Sequence, residues 1–176
     1  MLLLSALFLF GCSHHDHDSL PKESNVEIVE NLQGNRWDNI YFSGQPAHED
    51  LKKLKAAGFS AVINLRSENE KGHDEVLESK TVESLGLKYY NIPMSMKTEL
   101  SDKFLDSITS KVVENRKEGK VLIHCSSGNR VGLWLGAHLK KDHQFSDEKS
   151  LTLAKELGIN RDHVEERLKS YLKTGK

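Results

Sequence analysis

The sequence has few cysteines, no excess of basic residues and no apolar run long enough to cross a membrane. Its 176 residues include two cysteines, Cys12 and Cys125, whose different contexts argue against a disulfide between them. Lys and Arg number 25 against 26 Asp and Glu, which gives no indication of a nucleic-acid partner. The longest apolar run, residues 1–11, is shorter than the ~20 residues of a spanning helix. Length and a hydrophobic content of 37% instead fit one α/β domain.

The N-terminal apolar run ends at Cys12 and is typical of an export signal. Leu9 and Gly11 stand three and one positions before this cysteine, an arrangement that resembles the lipobox of bacterial lipoproteins. The resemblance implies a signal segment over residues 1–12, lipidation of Cys12 and a periplasmic location on a bacterial membrane. An uncleaved membrane anchor and a buried N-terminal segment are the alternatives. Residues 13–35 are polar and lack periodicity, and we expect them to form a tether.

Apolar runs typical of buried strands alternate with helical patterns from residue 36 onward. The strand-like runs cover residues 39–43, 60–65, 87–92 and 120–124. Such alternation favours right-handed crossovers between parallel strands. We therefore expect an α/β domain over residues 36–176, with a mostly parallel central sheet of four to five strands flanked by helices. Ligands bind at the carboxyl ends of strands in sheets of this kind, and Cys125 directly follows the last run.

Cys125 begins a short loop of small residues that leads into a predicted helix starting at Arg130. The loop residues are Ser126, Ser127, Gly128 and Asn129. Small side chains allow backbone N–H groups to turn inward around an anion, and the helix N-terminus adds free N–H donors. The Arg130 guanidinium can hold an oxyanion through two parallel hydrogen bonds. The same features stabilise a thiolate, so we predict that Cys125 is a nucleophile. An inert buried cysteine is the alternative.

Residues 124–132 resemble the signature loop of the protein tyrosine and dual-specificity phosphatase superfamily. More closely, residues 40–137 resemble the phosphatase-like domain of bacterial beta-lactamase hydrolase-like proteins. Within this range the resemblance is carried by residues 41–46, 58–59, 62–66 and 124–132. The resemblance implies a cysteine phosphatase-like fold. It also implies a hydrolase that acts on a phosphate ester through a cysteinyl-phosphate intermediate.

The resemblance also assigns a role to each loop residue. Cys125 would be the catalytic nucleophile and Arg130 the catalytic clamp on the phosphate oxygens. The backbone of residues 126–129 would form the substrate-binding cradle, and His124 would orient the loop. No metal or cofactor is implied, and the expected partner is a small anion or a phosphorylated substrate.

Two departures from active phosphatases leave other functions open. Only four residues separate Cys125 from Arg130, where tyrosine phosphatases have five, and Val131 follows the arginine where phosphatases usually have Ser or Thr. A loop of this shorter length is associated with rhodanese-like sulfurtransferases, in which the cysteine carries a persulfide. The alternatives are therefore sulfur transfer through a Cys125 persulfide, or an anion-binding module with little turnover.

A third departure concerns the general acid that protonates the leaving group. No Asp stands after Pro93 where dual-specificity enzymes usually place one. Glu99 and Asp102 are the nearest carboxyl groups, and each could instead be a solvated or helix-capping residue. Arg66, at the end of a predicted strand, could either add positive potential near the pocket or form an ion pair.

Overall fold

The computed structural model describes residues 22–95, 97 and 100–175. Its strands are β1 (Lys22–Val29), β2 (Leu32–Trp37), β3 (Ile40–Ser43), β4 (Phe59–Asn64), β5 (Lys88–Asn91) and β6 (Lys120–His124). Its helices are α1 (His48–Leu51), α2 (Glu75–Ser84), α3 (Asp102–Asn115), α4 (Asn129–His143), α5 (Asp147–Leu157) and α6 (Asp162–Thr174).

The central part of the sheet is parallel, which confirms the predicted α/β class. The strand order is β1-β2-β3-β6-β4-β5, and the four strands from β3 to β5 in this order run parallel. The ends of three of them lie side by side, because His124 is paired with Ser43 on one flank and with Asn64 on the other. The segments that follow these strands therefore meet at one edge of the sheet.

The C-terminal part of the predicted tether belongs to the sheet instead. Strands β1 and β2 form an antiparallel hairpin that joins β3, so the sheet has six strands rather than four to five. Ile28, Val29 and Leu32 are buried, and Asn31 makes the turn with a positive φ of 72°. Burial of these apolar side chains explains why residues 22–35 fold onto the domain. The remaining tether and signal residues lie outside the described part of the chain.

Helices cover both faces of the sheet. The larger apolar cluster packs α3 and α4 against the sheet and extends to α5 and α6. The smaller cluster lies on the other face, under α1, α2 and the β1–β2 hairpin. Side-chain caps fix where two of the helices start: Asp74 accepts a hydrogen bond from Leu77 N–H and Ser146 accepts one from Lys149 N–H.

Helix α4 and the connection between α5 and α6 touch backbone to backbone. A Cβ atom added to Gly132 would lie 2.8 Å from the amide nitrogen of Ile159, and one added to Gly158 would lie 2.8 Å from the Cα of Gly132. Larger residues at either glycine would force the two segments apart. The close approach brings the α5–α6 connection beside the loop that follows β6.

Candidate active site

Strand β6 delivers Cys125 to the centre of the sheet edge, as predicted. The Cys125 N–H donates to the Ser43 carbonyl at 3.4 Å, and the side chain is buried. Gly128, the N-cap of α4, has a φ of 82°, which is costly for residues with a Cβ. Its N–H donates to Cys125 Sγ at 3.2 Å. The loop thus curls back so that a backbone N–H at the start of a helix points at the sulfur.

The outer side of the loop is held by the segment after β3. Gln45 N–H donates to the Ser126 carbonyl at 3.4 Å, and Gly44 pairs with Ser127 in an isolated antiparallel bridge. A Cβ atom on Gly44 would lie 3.2 Å from the same carbonyl oxygen. The absence of a side chain at Gly44 therefore allows this close approach.

Arg130 lies in the first turn of α4 and forms a two-pronged ion pair with Glu70. Its Nη2 donates to Glu70 Oε2 at 2.7 Å and its Nη1 donates to Oε1. Nη1 also reaches the carbonyl of Leu65 at 3.1 Å. The hydrogen bond from Arg130 is the largest cause that lowers the pKa of Glu70 from 4.5 to about 2. Burial lowers the pKa of Arg130, but Glu70 and the Cys125 thiol beside it outweigh this and raise it.

Arg66 forms an ion pair, one of the two interpretations that the sequence left open. Its buried guanidinium donates to Glu70 Oε2 at 3.2 Å and to Gln45 Oε1 at 2.7 Å. The remaining donors reach the carbonyls of Gly72 at 3.1 Å and Lys71 at 2.8 Å. Arg66 thus holds Glu70 in place, and Glu70 holds Arg130. No sequence pattern distinguishes Glu70 from the other charged residues around it, so its role was not predicted.

A buried polar network lies beneath the loop. His124 Nε2 donates to Glu78 Oε1 at 2.7 Å, and Gln45 Nε2 donates to the other carboxylate oxygen at 2.8 Å. Asn64 Nδ2 lies 3.3 Å from Glu78 Oε1 and 3.0 Å from the Tyr89 hydroxyl. Burial raises the pKa of Glu78, but hydrogen bonds led by that from His124 outweigh it and lower the pKa overall. His124 faces this network, which fits an orienting role.

A cleft of about 510 Å³ opens in front of the loop. Its lining residues are Ser67, Glu70, Met94, Ser95, Lys97, Ser126, Ser127, Asn129, Arg130, Arg161, His163 and Val164. Three of the four predicted cradle residues thus line the cleft, and Gly128 lies behind them against the sulfur. The cleft also contains Lys97, Arg161 and His163, which were not predicted because they are distant from the signature loop in sequence.

Of the two predicted general acids, the structure describes Asp102, which it does not place at this cleft. Asp102 lies in the first turn of α3, where it accepts a hydrogen bond from the Tyr171 hydroxyl at 2.7 Å, and it does not line the cleft. Glu99 lies outside the described residues. Among the cleft-lining residues of the described chain, Glu70 is the one carboxylate, and its pKa of about 2 keeps it ionised at neutral pH.

Within the described residues, no group of three or more His, Cys, Asp or Glu side chains is arranged to hold a metal ion. In the same part of the chain, no helix combines the length and the apolar character needed to cross a bilayer. Cys12 lies outside the described residues, so its lipidation stays a prediction.

Comparison with known proteins confirms the resemblance. A family model described as DSP-PTPase phosphatase fused to NAD+ kinase matches residues 17–157. The beta-lactamase hydrolase-like protein of Xylella fastidiosa is 28% identical over 98 residues, which are 53% of this chain and 22% of the relative. Dual specificity protein phosphatase 26 of Rattus norvegicus is 25% identical over 114 residues, 62% of this chain and 52% of the relative. The matched region thus spans about a fifth and about half of these relatives.

Solved structures share the fold. A DUF442 protein from Shewanella putrefaciens CN-32 superposes with a TM-score of 0.63 at 22% identity, covering 85% of this chain and 95% of its own. The active form of Tk-PTP gives a TM-score of 0.61 at 26% identity, covering 77% and 92%. TpbA of P. aeruginosa, a variant of which was solved in complex with phosphotyrosine, gives 0.57 at 15% identity, covering 88% and 96%.

Proposed function

The chain belongs to the family of DSP-PTPase phosphatases fused to NAD+ kinase, and from this premise we propose that it is a cysteine-dependent phosphatase for a phosphate ester. One observation carries the proposal: the buried Cys125 sulfur accepts the Gly128 N–H at 3.2 Å at the start of α4, with Arg130 beside it. Free N–H groups and the positive end of the helix favour a dianion at this position. The arginine fork suits its oxygens.

The proposed reaction proceeds in two displacements. The Cys125 thiolate attacks phosphorus, a sulfur–phosphorus bond forms, and the bond to the leaving oxygen breaks. Water then attacks the cysteinyl phosphate, the sulfur–phosphorus bond breaks, and inorganic phosphate leaves with the thiolate restored. In both steps the loop N–H groups and Arg130 stabilise the negative charge on the three equatorial oxygens.

The leaving group controls the first step in this proposal. Glu70 is ionised and held by two arginines, so it has no proton to donate. A phenolate can leave without protonation far more easily than an alkoxide. We therefore expect aryl phosphates to be hydrolysed much faster than alkyl phosphates.

Sulfur transfer is the second candidate, because the loop has four rather than five residues between Cys125 and Arg130. In that reaction the Cys125 thiolate would take the outer sulfur of a donor such as thiosulfate, releasing sulfite. The resulting persulfide would pass this sulfur to cyanide as thiocyanate. The family match to phosphatases favours phosphate hydrolysis over this alternative.

A parallel assay on one purified sample tests the proposal. The full chain and its Cys125→Ser variant are compared in hydrolysis of para-nitrophenyl phosphate and in sulfur transfer from thiosulfate to cyanide. We expect phosphate release that the variant abolishes. Sulfur transfer that depends on Cys125, without phosphate release, would replace the proposal with the second candidate. If neither reaction occurs while inorganic phosphate still binds, the chain is an anion-binding module.

The location is a separate proposal that rests on the sequence before Cys12. We propose that the protein is anchored by lipid at Cys12 to the periplasmic side of a bacterial membrane. In its native host the protein should sediment with membranes, and Cys12→Ser should release or mislocalise it. Recovery of the unprocessed chain in the cytoplasm would contradict this proposal.

A further inference from the structure

We propose that the cleft contains a second anion subsite, formed by Lys97, Arg161 and His163. The substrate would then be a compact phosphate ester that carries another anionic group, a carboxylate or a second phosphate, within reach of these side chains. The inference rests on the proposed function in one respect: the phosphate group that is hydrolysed occupies the Cys125 loop, and the second anion lies outward from it.

The shape and composition of the cleft support a polar small molecule. Its volume of about 510 Å³ lies within the range of about 300–1,000 Å³ that is typical of small-molecule sites. Met94 and Val164 are the two apolar lining residues, and among the described residues no aromatic side chain other than His163 lines the cleft. The other ten described lining residues are polar or charged and offer many hydrogen-bond partners to a charged ligand.

The charges at the cleft are distributed unequally. Arg130, at the floor, is paired with Glu70. Within the described part of the chain, no carboxylate pairs with Lys97, Arg161 or His163. Two acidic residues on the adjacent helix α6 have other partners: Glu165 pairs with Lys155 and Lys169, and Glu166 pairs with Lys169. The third, Asp162, is exposed and stands between Arg161 and His163 in sequence, but it does not line the cleft. The outer part of the cleft therefore keeps positive charge that an anionic group on a ligand can approach.

The two arginines of the cleft are held in a fixed relation. Asn129 Nδ2 donates to Asn160 Oδ1 at 2.8 Å, and Asn160 N–H donates back to Asn129 Oδ1 at 3.0 Å. Each asparagine immediately precedes one of the arginines, Arg130 and Arg161. This reciprocal pair couples the start of α6 to the Cys125 loop, so a ligand on the loop meets Arg161 from a constant direction.

A second contact fixes the other wall of the cleft. Arg167 on α6 donates to the Ser95 carbonyl at 3.0 Å, which ties this helix to the segment that carries Lys97. Val164 is buried one turn away and anchors the start of α6 in the core. Lys97 and Arg161 thus line one cleft, on segments that are hydrogen-bonded to each other.

The test compares two inhibitors that differ in one charged group. Glycerol 3-phosphate and 3-phosphoglycerate have the same number of carbons and one phosphate each, but only the second carries a carboxylate. Competition against para-nitrophenyl phosphate, and calorimetric binding to the Cys125→Ser variant, measure both affinities. We expect 3-phosphoglycerate to bind about tenfold more tightly, a difference that narrows as ionic strength rises.

Substitutions in the cleft test which side chains cause the tighter binding of 3-phosphoglycerate. Lys97→Ala/Arg161→Ala should reduce it to about twofold or less, since it removes two of the three side chains that contact the carboxylate. The matched control is Lys55→Ala/Lys117→Ala, which removes two exposed lysines that precede β4 and β6 at the opposite edge of the sheet. This control should keep the tenfold preference.

The outcomes separate this inference from the proposed function. Equal affinities for the two inhibitors, or a preference that survives Lys97→Ala/Arg161→Ala, would overturn the second subsite while leaving phosphatase turnover intact. The subsite stands if the calorimetric preference depends on these side chains even though no Cys125-dependent phosphate release occurs. In that case only the phosphatase proposal fails.

Discussion

Two loops that follow neighbouring strands at the same edge of the sheet are held in opposite ways. The loop after β6, residues 125–128, is short and is held through its backbone, by the Gln45 N–H on one side and the turn at Gly128 on the other. The segment after β4, residues 65–74, is longer and is held by the buried side chain of Arg66, whose donors reach four acceptors. One loop is held by backbone hydrogen bonds, and the other is held by a buried arginine side chain.

The two loops meet at Glu70, which binds both arginines. Arg66 is 3% exposed and its acceptors all belong to the protein. Arg130 binds the same carboxylate but lines the cleft. The difference indicates that one arginine supports the site while the other is available to a ligand.

Removing each arginine in turn gives the largest expected effects and tests this division. Arg130→Ala should lower turnover of an aryl phosphate by about 10²–10³-fold, because in the proposed reaction its guanidinium stabilises the transferred phosphate. Arg66→Ala should instead lower the free energy of unfolding by about 3 kcal/mol, because it removes the four hydrogen bonds that join Glu70, Lys71, Gly72 and Gln45 through one buried guanidinium. Turnover and urea unfolding are measured on both variants.

The opposite effects of the two substitutions would contradict this division of roles between Arg130 and Arg66. A stable, fully folded Arg66→Ala variant, or an Arg130→Ala variant that hydrolyses aryl phosphate at the native rate, would show that the roles are wrongly assigned. Arg130→Lys is the conservative control. It keeps the charge but lacks the two-pronged geometry, so its turnover should lie between the native and alanine values.

The buried network beneath the loop should show the next largest effect. Glu78→Gln replaces a carboxylate that accepts from His124 and Gln45 with an amide that cannot accept both bonds on equal terms. We expect a loss of about 3 kcal/mol, which corresponds to a melting temperature about 6–12 °C lower. Glu83→Gln, at an exposed position of the same helix, is the control and should change the melting temperature little. Equal melting temperatures for the two variants would contradict the supporting role of the network.

The parallel part of the fold was predictable because its two central strands have apolar interiors, Ala61–Ile63 in β4 and Val121–Ile123 in β6. Strands β4 and β6 are buried on both faces and read as continuous apolar runs. The β1–β2 hairpin was missed because its burial is partial: β1 carries exposed residues over its first half and turns inward only at Ile28. Its polar composition was interpreted as a tether.

The centre of the site was predictable for a different reason. Cys125, the small loop and Arg130 are contiguous in sequence, so one segment contains both the proposed nucleophile and its proposed hydrogen-bond donors. Glu70 and Glu78 could not be assigned, since their roles depend on side-chain contacts across 60 and 46 residues of sequence. Neither position has a distinctive pattern, because a charged residue in a polar stretch is usually solvated.

Substitution of Glu70, which joins the two loops, should change how the free energy of unfolding depends on pH. Its pKa falls from 4.5 to about 2 in the folded protein, so this group contributes stability above pH 4.5 that is lost as the pH falls towards 2. At neutral pH Glu70→Gln should lower the free energy of unfolding by about 1–2 kcal/mol. This is less than the pKa shift alone would give, because the Glu70 side chain is 28% exposed and solvent screens its charge. Denaturant unfolding at pH 7 and at pH 2 measures both values. A stability difference that persists unchanged at pH 2 would rule out the charge as its source.

The smallest expected change in stability comes from alanine substitutions at two glycines, one in the Cys125 loop and one distant from it. Gly128 and Gly86 have similar φ angles, 82° and 70°. A Cβ atom added to Gly128 would lie 3.9 Å from the Gly158 carbonyl oxygen, and one added to Gly86 would have no atom within 4 Å. Alanine at either position should therefore cost about 1 kcal/mol through backbone strain alone. Only Gly128→Ala should also slow aryl phosphate turnover, by about tenfold, since a shift of this residue moves its N–H away from Cys125 Sγ. Equal turnover in the two variants, at equal stability, would show that the Gly128 N–H has no part in the reaction and that the backbone of the loop need not be held for chemistry.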